Sequence, residues 1–307
     1  MLINYGVHMS FEAIVFFDLL GRPISKDEIS HYNSRKIASY VKSHLNDSVA
    51  LLEPTTTLFK GAEYFSFFDQ YTLRNLLNAS DEFTKTAWRK VQKYSWIFKF
   101  MPFIKMVAVC NTLAFGTSKK NSDIDLFVIT TKNRMFTARL VLTLFCHILG
   151  IRRHGSKVAQ RFCLSFFISE DSLNIENILL KPLDIYMIYW MRGLKIVYGK
   201  EVLNQFIESN IWYQQYFNNV SVEHLKFLNE GSGKLRIKGV LEKMFSGRLG
   251  LFVEEKLKKW QLNRASEKKK SLGNSSGTII SSTMLKFHDN DRRGEFLTKW
   301  EKGLKGF

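Results

Sequence analysis

The sequence predicts a mixed α+β protein, and three observations lead to that class. Short runs of β-branched and aromatic residues alternate with longer segments whose apolar residues recur at helical spacing. The hydrophobic fraction is 45% and the charged fraction 24%, which supplies a core and excludes disorder over most of the chain. The length of 307 residues allows two or three domains. We expect a small mixed sheet with flanking helices in the middle of the chain.

The first 79 residues outline a small helical unit that ends in a hairpin. Ser25 and Glu28 have the spacing of a helix capping box. Three short helices followed by a hairpin are typical of a winged-helix-like domain. Such domains bind DNA or mediate protein contacts, and the sequence leaves both roles open. The segments on which this prediction rests are the helices Phe11–Leu20 and Ser34–Leu45 and the strands Val49–Leu52 and Thr56–Phe59.

Residues 80–171 are predicted to form the core. A basic amphipathic helix from about Ser80 to Phe100 joins the first unit to it and ends before Pro102. The order that follows is strand, turn, strand, helix and strand. These elements are expected over Met106–Cys110, Ile124–Thr130, Met135–Leu149 and Arg161–Ile168, with the helix third.

Residues 172–307 are predicted to form a mostly helical basic region. The whole chain has a formal charge of +17, and Gly231 to Phe307 holds 18 Lys and Arg against 8 Asp and Glu. A field of that sign attracts polyanions, so RNA or DNA is a possible partner, although a solvated basic surface would need none. Helices are expected over Leu183–Tyr198, Glu201–Glu208, Leu235–Phe245 and Leu251–Gln261, and a loop over Lys268–Gly277.

The compartment is predicted to be the cytoplasm. The three cysteines, Cys110, Cys146 and Cys163, lie in apolar runs without a CxxC pair, which is typical of buried thiols in a reducing compartment. The beginning of the chain has no clean signal-peptide pattern. The run Leu140–Ile151 is shorter than the roughly 20 residues of a membrane span and predicts a buried helix instead. The oligomeric state stays open.

Two carboxylates carry the chemistry that the sequence offers. Asp123 and Asp125 lie two residues apart on a predicted strand, so both side chains point to one face, while Ile124 and Leu126 point to the other. Two acids placed in this way can hold Mg²⁺, or Mn²⁺, against nucleotide phosphates. The alternative is a pair of ordinary solvated acids on an exposed strand.

The segment Val109–Asp125, which ends in Ser122-Asp123-Ile124-Asp125, resembles the signature of the DNA-polymerase-β-like nucleotidyltransferases. The resemblance spans roughly Trp88 to Asp171. It implies a nucleotidyltransferase core in which backbone N–H groups of a turn hold a nucleoside triphosphate. It also implies that Asp123 and Asp125 are the catalytic metal ligands and that a later strand supplies a third acid. The residues implied in nucleotide binding are Asn111, Thr112, Gly116, Ser118 and Ser122.

Two positions depart from that signature. Asn111-Thr112 replaces the Gly-Ser turn, although Asn tolerates the left-handed conformation better than most residues. The third strand carries no acid, and alternation puts Cys163 or Ser165 in the expected position. Glu170 and Asp171 follow that strand and are alternative donors. The flanking segments, including Asp291-Arg292-Arg293, resemble uncharacterised prokaryotic nucleotidyltransferase-domain proteins.

The sequence favours an enzyme that transfers a nucleoside monophosphate from a triphosphate to a hydroxyl acceptor. A non-catalytic nucleotide- or nucleic-acid-binding module with the same fold is the first alternative. The second is a nucleic-acid binder whose core is only a platform. Nearby cations could neutralise phosphate or could be ordinary surface residues. They are Lys119, Lys120, Arg134, Arg139, Arg152, Arg153, His154 and Lys157.

Overall fold

A computed structural model describes residues 10–45, 53–217, 236–271, 277–287 and 291–305. The protein is a mixed α+β molecule with two small sheets, as the sequence predicts. The helices are α1 Phe11–Leu19, α2 Lys26–Tyr32, α3 Arg35–Leu45, α4 Gln70–Tyr94, α5 Ile97–Phe100, α6 Asn111–Ala114, α7 Met135–Ile148, α8 Ile185–Gly193, α9 Leu203–Glu208, α10 Ile211–Gln214, α11 Arg236–Met244, α12 Arg248–Ser271 and α13 Arg293–Leu304. The strands are β1 Ile24–Ser25, β2 Thr55–Phe59, β3 Ala62–Ser66, β4 Ile104–Val109, β5 Ile124–Thr130, β6 Phe162–Ser169, β7 Lys195–Tyr198, β8 Thr278–Ile280 and β9 Met284–Phe287.

The first unit consists of three helices and a three-stranded antiparallel sheet in the order β1-β3-β2. The predicted capping box is confirmed, because the Ser25 hydroxyl accepts from the Glu28 N–H and the Glu28 carboxylate accepts from the Ser25 N–H. The hairpin lies later than predicted. Its turn is Lys60-Gly61, where both residues have positive φ, so the aromatic run after Gly61 forms the second strand. The predicted strand Val49–Leu52 lies outside the described residues.

The boundary predicted at residue 79 falls inside a helix. Helix α4 begins at Gln70, and the Asp69 side chain caps it by accepting from the N–H groups of Tyr71 and Thr72. A capping aspartate therefore starts the helix about ten residues before the polar cluster in which the sequence-based prediction placed its beginning.

The boundary predicted at residue 171 falls between strands of one sheet. The second sheet has the order β7-β4-β5-β6-β9-β8, so three of its six strands come from residues 172–307. Strands β5 and β6 are parallel, and the other neighbours are antiparallel. The predicted helix Leu183–Tyr198 ends at Gly193, and the β-branched pair after it joins β7. The predicted loop at 268–277 begins as the last turn of α12.

The six-stranded sheet is buried on both faces. One face packs against α7 and the helices around it, through residues such as Leu126 and Val128. The opposite face, with Phe127 and Ile129, packs into a cluster that includes α1, α8 and α13. Helix α1 is fixed to α13 by a hydrogen bond of 2.9 Å from the Trp300 indole N–H to the Glu12 carbonyl. The first unit therefore shares one core with the sheet.

Within the described ranges, every helix is either too short or too polar to cross a membrane. The run Leu140–Ile151, predicted as a buried helix, belongs mostly to α7 and is buried on one side only. Leu142 and Cys146 are buried, but Leu144 and Ile148 are exposed. The three cysteines are unpaired and buried, as predicted.

Candidate functional site

Asp123 and Asp125 lie at the beginning of β5, and alternation separates them from the apolar core on the other face of the sheet. Ile124 and Leu126 enter that core, while Asp125 shares its face with Phe127. In the parallel ladder to β6, Asp125 lies opposite Cys163. One carboxylate oxygen of each aspartate and the Cys163 sulfur all lie within 4.8 Å of one another. The strand pattern thus brings the two predicted acids and one thiol together.

The turn after β4 contacts these acids directly. Asn111 begins α6 with φ of +55°, the left-handed conformation that the sequence-based prediction required there. Its side-chain amide N–H donates to Asp125 Oδ2 over 3.0 Å. The Tyr186 hydroxyl, from α8, donates to Asn111 Oδ1 over 3.5 Å. Asn111 therefore orients Asp125, a role that a glycine at this position could not have.

The remaining predicted nucleotide-binding residues lie in α6 and in the loop between α6 and β5. The Ser122 hydroxyl accepts from the Lys119 N–H at 2.8 Å. Gly116 has φ of +70°, and a Cβ there would lie 3.1 Å from Arg22 Nε. The buried Ser118 hydroxyl has no hydrogen-bond partner in the described part of the chain. Thr112 lines the pocket beside Asn111 and the two aspartates, whereas Gly116, Ser118 and Ser122 do not.

Charges around the acids are unevenly distributed. The Arg153 guanidinium donates to Asp123 Oδ2 over 2.7 Å and contacts the Cys163 sulfur at 3.5 Å. Burial and the neighbouring Asp123 charge raise the pKa of Asp125 to about 6, while the Asn111 hydrogen bond lowers it. Other cations that the sequence singled out have structural partners. Arg134 donates to the carbonyls of Asn133, Phe245 and Ser246, and Arg139 donates to Gln261.

Cys163 lies beside the aspartates, opposite Asp125 on the neighbouring strand. Burial and the charges of Asp125 and Asp123 raise the pKa of its thiol well above the ordinary range, so the sulfur stays protonated at neutral pH. The two alternative donors, Glu170 and Asp171, lie away from the aspartates. Glu170 follows the far end of β6, where it accepts from the Lys132 N–H over 2.9 Å, and Asp171 lies 3.8 Å from the Lys132 ammonium.

A pocket with a volume of about 330 Å³ opens on the two aspartates. Its other walls come from the C-terminal half of the chain, and most of these residues were not predicted as site residues. One signal was readable, since Lys286 interrupts the apolar strand Met284-Leu285-Lys286-Phe287. The walls consist of Phe166, Tyr186, Met187, Trp190, Lys286, Asp291, Arg292, Arg293 and Phe296.

The two carboxylates and the thiol of this cluster differ in how well they suit a divalent cation. Two carboxylates on one face of a strand suit Mg²⁺ or Mn²⁺, which prefer oxygen ligands and take further ones from phosphate and water. The thiol of Cys163 is a poor ligand for Mg²⁺. The residues therefore fit a cation that a bound nucleotide helps to hold better than one held by protein alone.

Comparisons with protein-family models, with curated proteins and with solved structures give no match. The geometry of this pocket and the chemistry of its residues are therefore what indicates a function.

Proposed function

We propose that the protein is a polymerase-β-like nucleotidyltransferase that uses Mg²⁺ or Mn²⁺ to transfer a nucleoside monophosphate from a triphosphate to a hydroxyl acceptor. One observation carries the proposal. The turn expected to hold phosphates and the acids expected to hold metal line the same pocket, and Asn111 joins them through its 3.0 Å hydrogen bond to Asp125. Neither feature alone would support more than a polar cleft.

The arrangement of the elements supports the same proposal. Strand β4, the short helix α6, strand β5, helix α7 and strand β6 follow one another in the order that the resemblance implies, with β5 parallel to β6. The first unit, with its order of helices and its hairpin, supports a winged-helix-like domain. Its role could be contact with DNA or with protein.

In this proposal each residue has a defined task. Asp123 and Asp125 would hold the cation, which when bound neutralises charge on the phosphates. Asn111 fixes the orientation of Asp125, and the backbone N–H groups of the turn at Asn111 and Thr112 would hold the phosphates, as the resemblance implies. Arg153 neutralises Asp123 before the substrate binds and is close enough to contact phosphate afterwards.

The reaction is expected to be slow. A hydroxyl nucleophile has to lose its proton, and the third strand offers only the protonated thiol of Cys163. A well-placed general base contributes typically about 10²–10⁴-fold to a rate. Without one, positioning and charge neutralisation carry the catalysis.

A labelling experiment tests the proposal. The full-length chain is incubated with each of four labelled nucleoside triphosphates and Mg²⁺ or Mn²⁺, with and without RNA. We expect label on the protein or on the RNA, and none with the double variant Asp123→Asn, Asp125→Asn. Equal labelling by wild type and double variant would refute the site.

A non-catalytic nucleotide-binding module is the second candidate. It is favoured by Cys163 in the position of the third acid and by the Arg153 ion pair that already occupies Asp123. This candidate replaces the first if nucleotide binds in a metal-dependent way while neither wild type nor a Cys163→Asp variant labels any acceptor.

A nucleic-acid partner is the third element of the proposal, and it rests on α12. Phe252 and Trp260 are exposed there, and each ring has a cation over it, Lys256 at 5.4 Å and Arg264 at 5.9 Å from the ring centroid. Stripes of aromatic and cationic side chains bind single-stranded nucleic acid by stacking and by phosphate contacts.

Fluorescence anisotropy with a single-stranded RNA and a single-stranded DNA tests this partner. Trp260→Ala should weaken binding at all salt concentrations, and Arg264→Gln should reduce the slope of log affinity against log salt by about 1. If the full-length protein binds neither nucleic acid at low salt, the charge of α12 is only a solvated surface.

A further inference from the structure

Lys286 is a buried cation on the wall of the pocket, and it lies on the same face of the sheet as Asp125. Strand β9 pairs with β6, and Lys286 lies opposite Phe166 there and opposite Ile279 on β8. Only 3% of the residue is exposed. Its ammonium lies 6.0 Å from the Phe166 ring centroid. Both ladder neighbours are apolar and give the charge no partner.

The other cations on the pocket wall are all neutralised. Arg153 pairs with Asp123, and Arg292 pairs with Glu295. The buried Arg293 pairs with both Asp184 and Asp291, each at 2.7 Å.

Lys286 differs from these arginines. Over the residues that the structure describes, its ammonium has neither a hydrogen bond nor an ion pair within 4 Å. A buried ammonium without such a partner is unfavourable, because desolvation is not offset by local contacts. The pocket thus holds one cation whose donors are unused.

We infer that Lys286 binds an anionic oxygen group, a phosphate or a carboxylate, of a ligand that occupies the pocket. Its three N–H donors can take such a group only from the pocket side, since apolar residues flank it along the sheet. Two strand spacings of about 4.8 Å separate β5 from β9, so the aspartates and this lysine lie roughly 10 Å apart across the sheet. The site requires no metal, so it does not depend on the proposed reaction.

The surroundings of Lys286 predict how its affinity for anions depends on pH. Burial and the Arg293 charge lower its pKa to about 8, while Asp291, Asp184 and Cys110 act in the opposite direction. These groups come from the segment at the start of α13, from the N-cap of α8 and from the end of β4. An anion stabilises the ammonium, so binding takes up a proton above pH 8 and weakens as the pH rises.

Calorimetry with inorganic pyrophosphate in a metal chelator tests the inference on the full-length chain. At pH 7 the Lys286→Met variant should lose about tenfold to a hundredfold in affinity, as expected for a hydrogen bond to a charged group. Lys286→Arg should keep most of the binding. The matched control, Lys42→Met, removes an exposed lysine of α3 that does not line the pocket and should change nothing.

A second measurement needs no variant. Wild type titrated at pH 9.5 in two buffers of different ionisation enthalpy should show weaker binding coupled to proton uptake. The inference is wrong if wild type does not bind pyrophosphate at pH 7, if Lys286→Met binds it as well as wild type, or if binding ignores pH. The Asp123→Asn, Asp125→Asn variant should still bind, which separates this site from the proposed metal site.

Nucleotides then identify the source of the anionic group. If Lys286 contacts the terminal phosphate of a nucleotide, Lys286→Met weakens binding of a triphosphate and leaves binding of a monophosphate unchanged. If both nucleotides bind normally to the variant while pyrophosphate does not, the group belongs to the acceptor. That acceptor would then be a hydroxyl compound that carries a phosphate or a carboxylate.

Discussion

Strands β5 and β6 carry a pair of carboxylates at each end, and the two pairs have opposite surroundings. At one end Asp123 and Asp125 line a pocket, and burial raises the pKa of Asp125 to about 6. At the other end Glu170 and Asp171 lie near the surface. Glu170 is 3.4 Å from the Lys105 ammonium, and Asp171 is 3.8 Å from the Lys132 ammonium. Exposed pairs of this kind contribute little to stability.

The two ends differ in the surroundings of their acids. The number of acids is the same, so acid content does not distinguish them. What distinguishes them is that the first pair shares its space with a second polar element, the Asn111 turn, and with an open volume large enough for a ligand. The second pair is satisfied by backbone and lysine contacts alone.

Neutralising the two ends separately should give the largest contrast. Asp123→Asn with Asp125→Asn should weaken metal-dependent nucleotide binding by about a hundredfold or more, since both proposed metal ligands are lost. Glu170→Gln with Asp171→Asn is the matched control and should bind as wild type does. Calorimetry at millimolar Mg²⁺ measures both. If the Glu170→Gln, Asp171→Asn variant loses binding instead, the nucleotide binds at the other end of the strands.

Asp18 tests whether burial alone is enough to make a site. This carboxylate of α1 lies outside the pocket and accepts from the Ser66 hydroxyl and the Phe67 N–H, both at 2.7 Å. Burial raises its pKa to about 7. Between about pH 4 and 7 the folded state holds a proton that the unfolded state has lost, so stability falls as pH rises, by up to about 4 kcal/mol.

The corresponding variant is Asp18→Asn, with unfolding followed by denaturant at several pH values. Its free energy of unfolding should lack the decline between pH 4 and 7, while nucleotide binding stays unchanged. A change in nucleotide affinity would mean that a buried carboxylate outside the pocket influences the site. Location in the pocket would then not be what distinguishes Asp123 and Asp125 from other acids.

Restoring a third carboxylate should have a smaller effect. Cys163→Asp puts an acid opposite Asp125, within reach of both aspartates, and should raise the rate of transfer by up to about a hundredfold. Ser165→Asp is the comparison variant, because Ser165 lies two residues further along the same strand. Single-turnover labelling measures both variants. Equal gains would show that proximity to the aspartates does not matter.

The sequence was sufficient for β5 and for the placement of the two aspartates at its beginning, because a period of two and a buried apolar face fix that strand locally. It was insufficient for the pocket walls. Lys286 reaches the site through the pairing of β9 with β6, a contact between residues more than a hundred positions apart. No local pattern encodes such a pairing. The true beginning of α4 was missed for a different reason. Asp69 is a helix-capping residue, but it directly follows an aromatic run that is typical of a strand.

The smallest expected effect concerns the cations that face each pair. Arg153 pairs with Asp123 at 2.7 Å, so it competes with a metal ion for that carboxylate. Arg153→Gln should therefore raise the affinity for Mn²⁺ alone by a few fold, because the carboxylate is released and the local charge becomes more negative. Affinity for the nucleotide complex should fall by a similar factor if the guanidinium also contacts phosphate. Lys132→Gln, which removes the cation beside Asp171, is the matched change at the other end and should alter neither affinity.

Electron paramagnetic resonance measures the affinity for manganese alone, and calorimetry measures the affinity for the nucleotide complex. An Arg153→Gln variant with unchanged manganese affinity would mean that the ion pair does not compete with metal, and the two ends would then differ in the shape of their surroundings rather than in their charge.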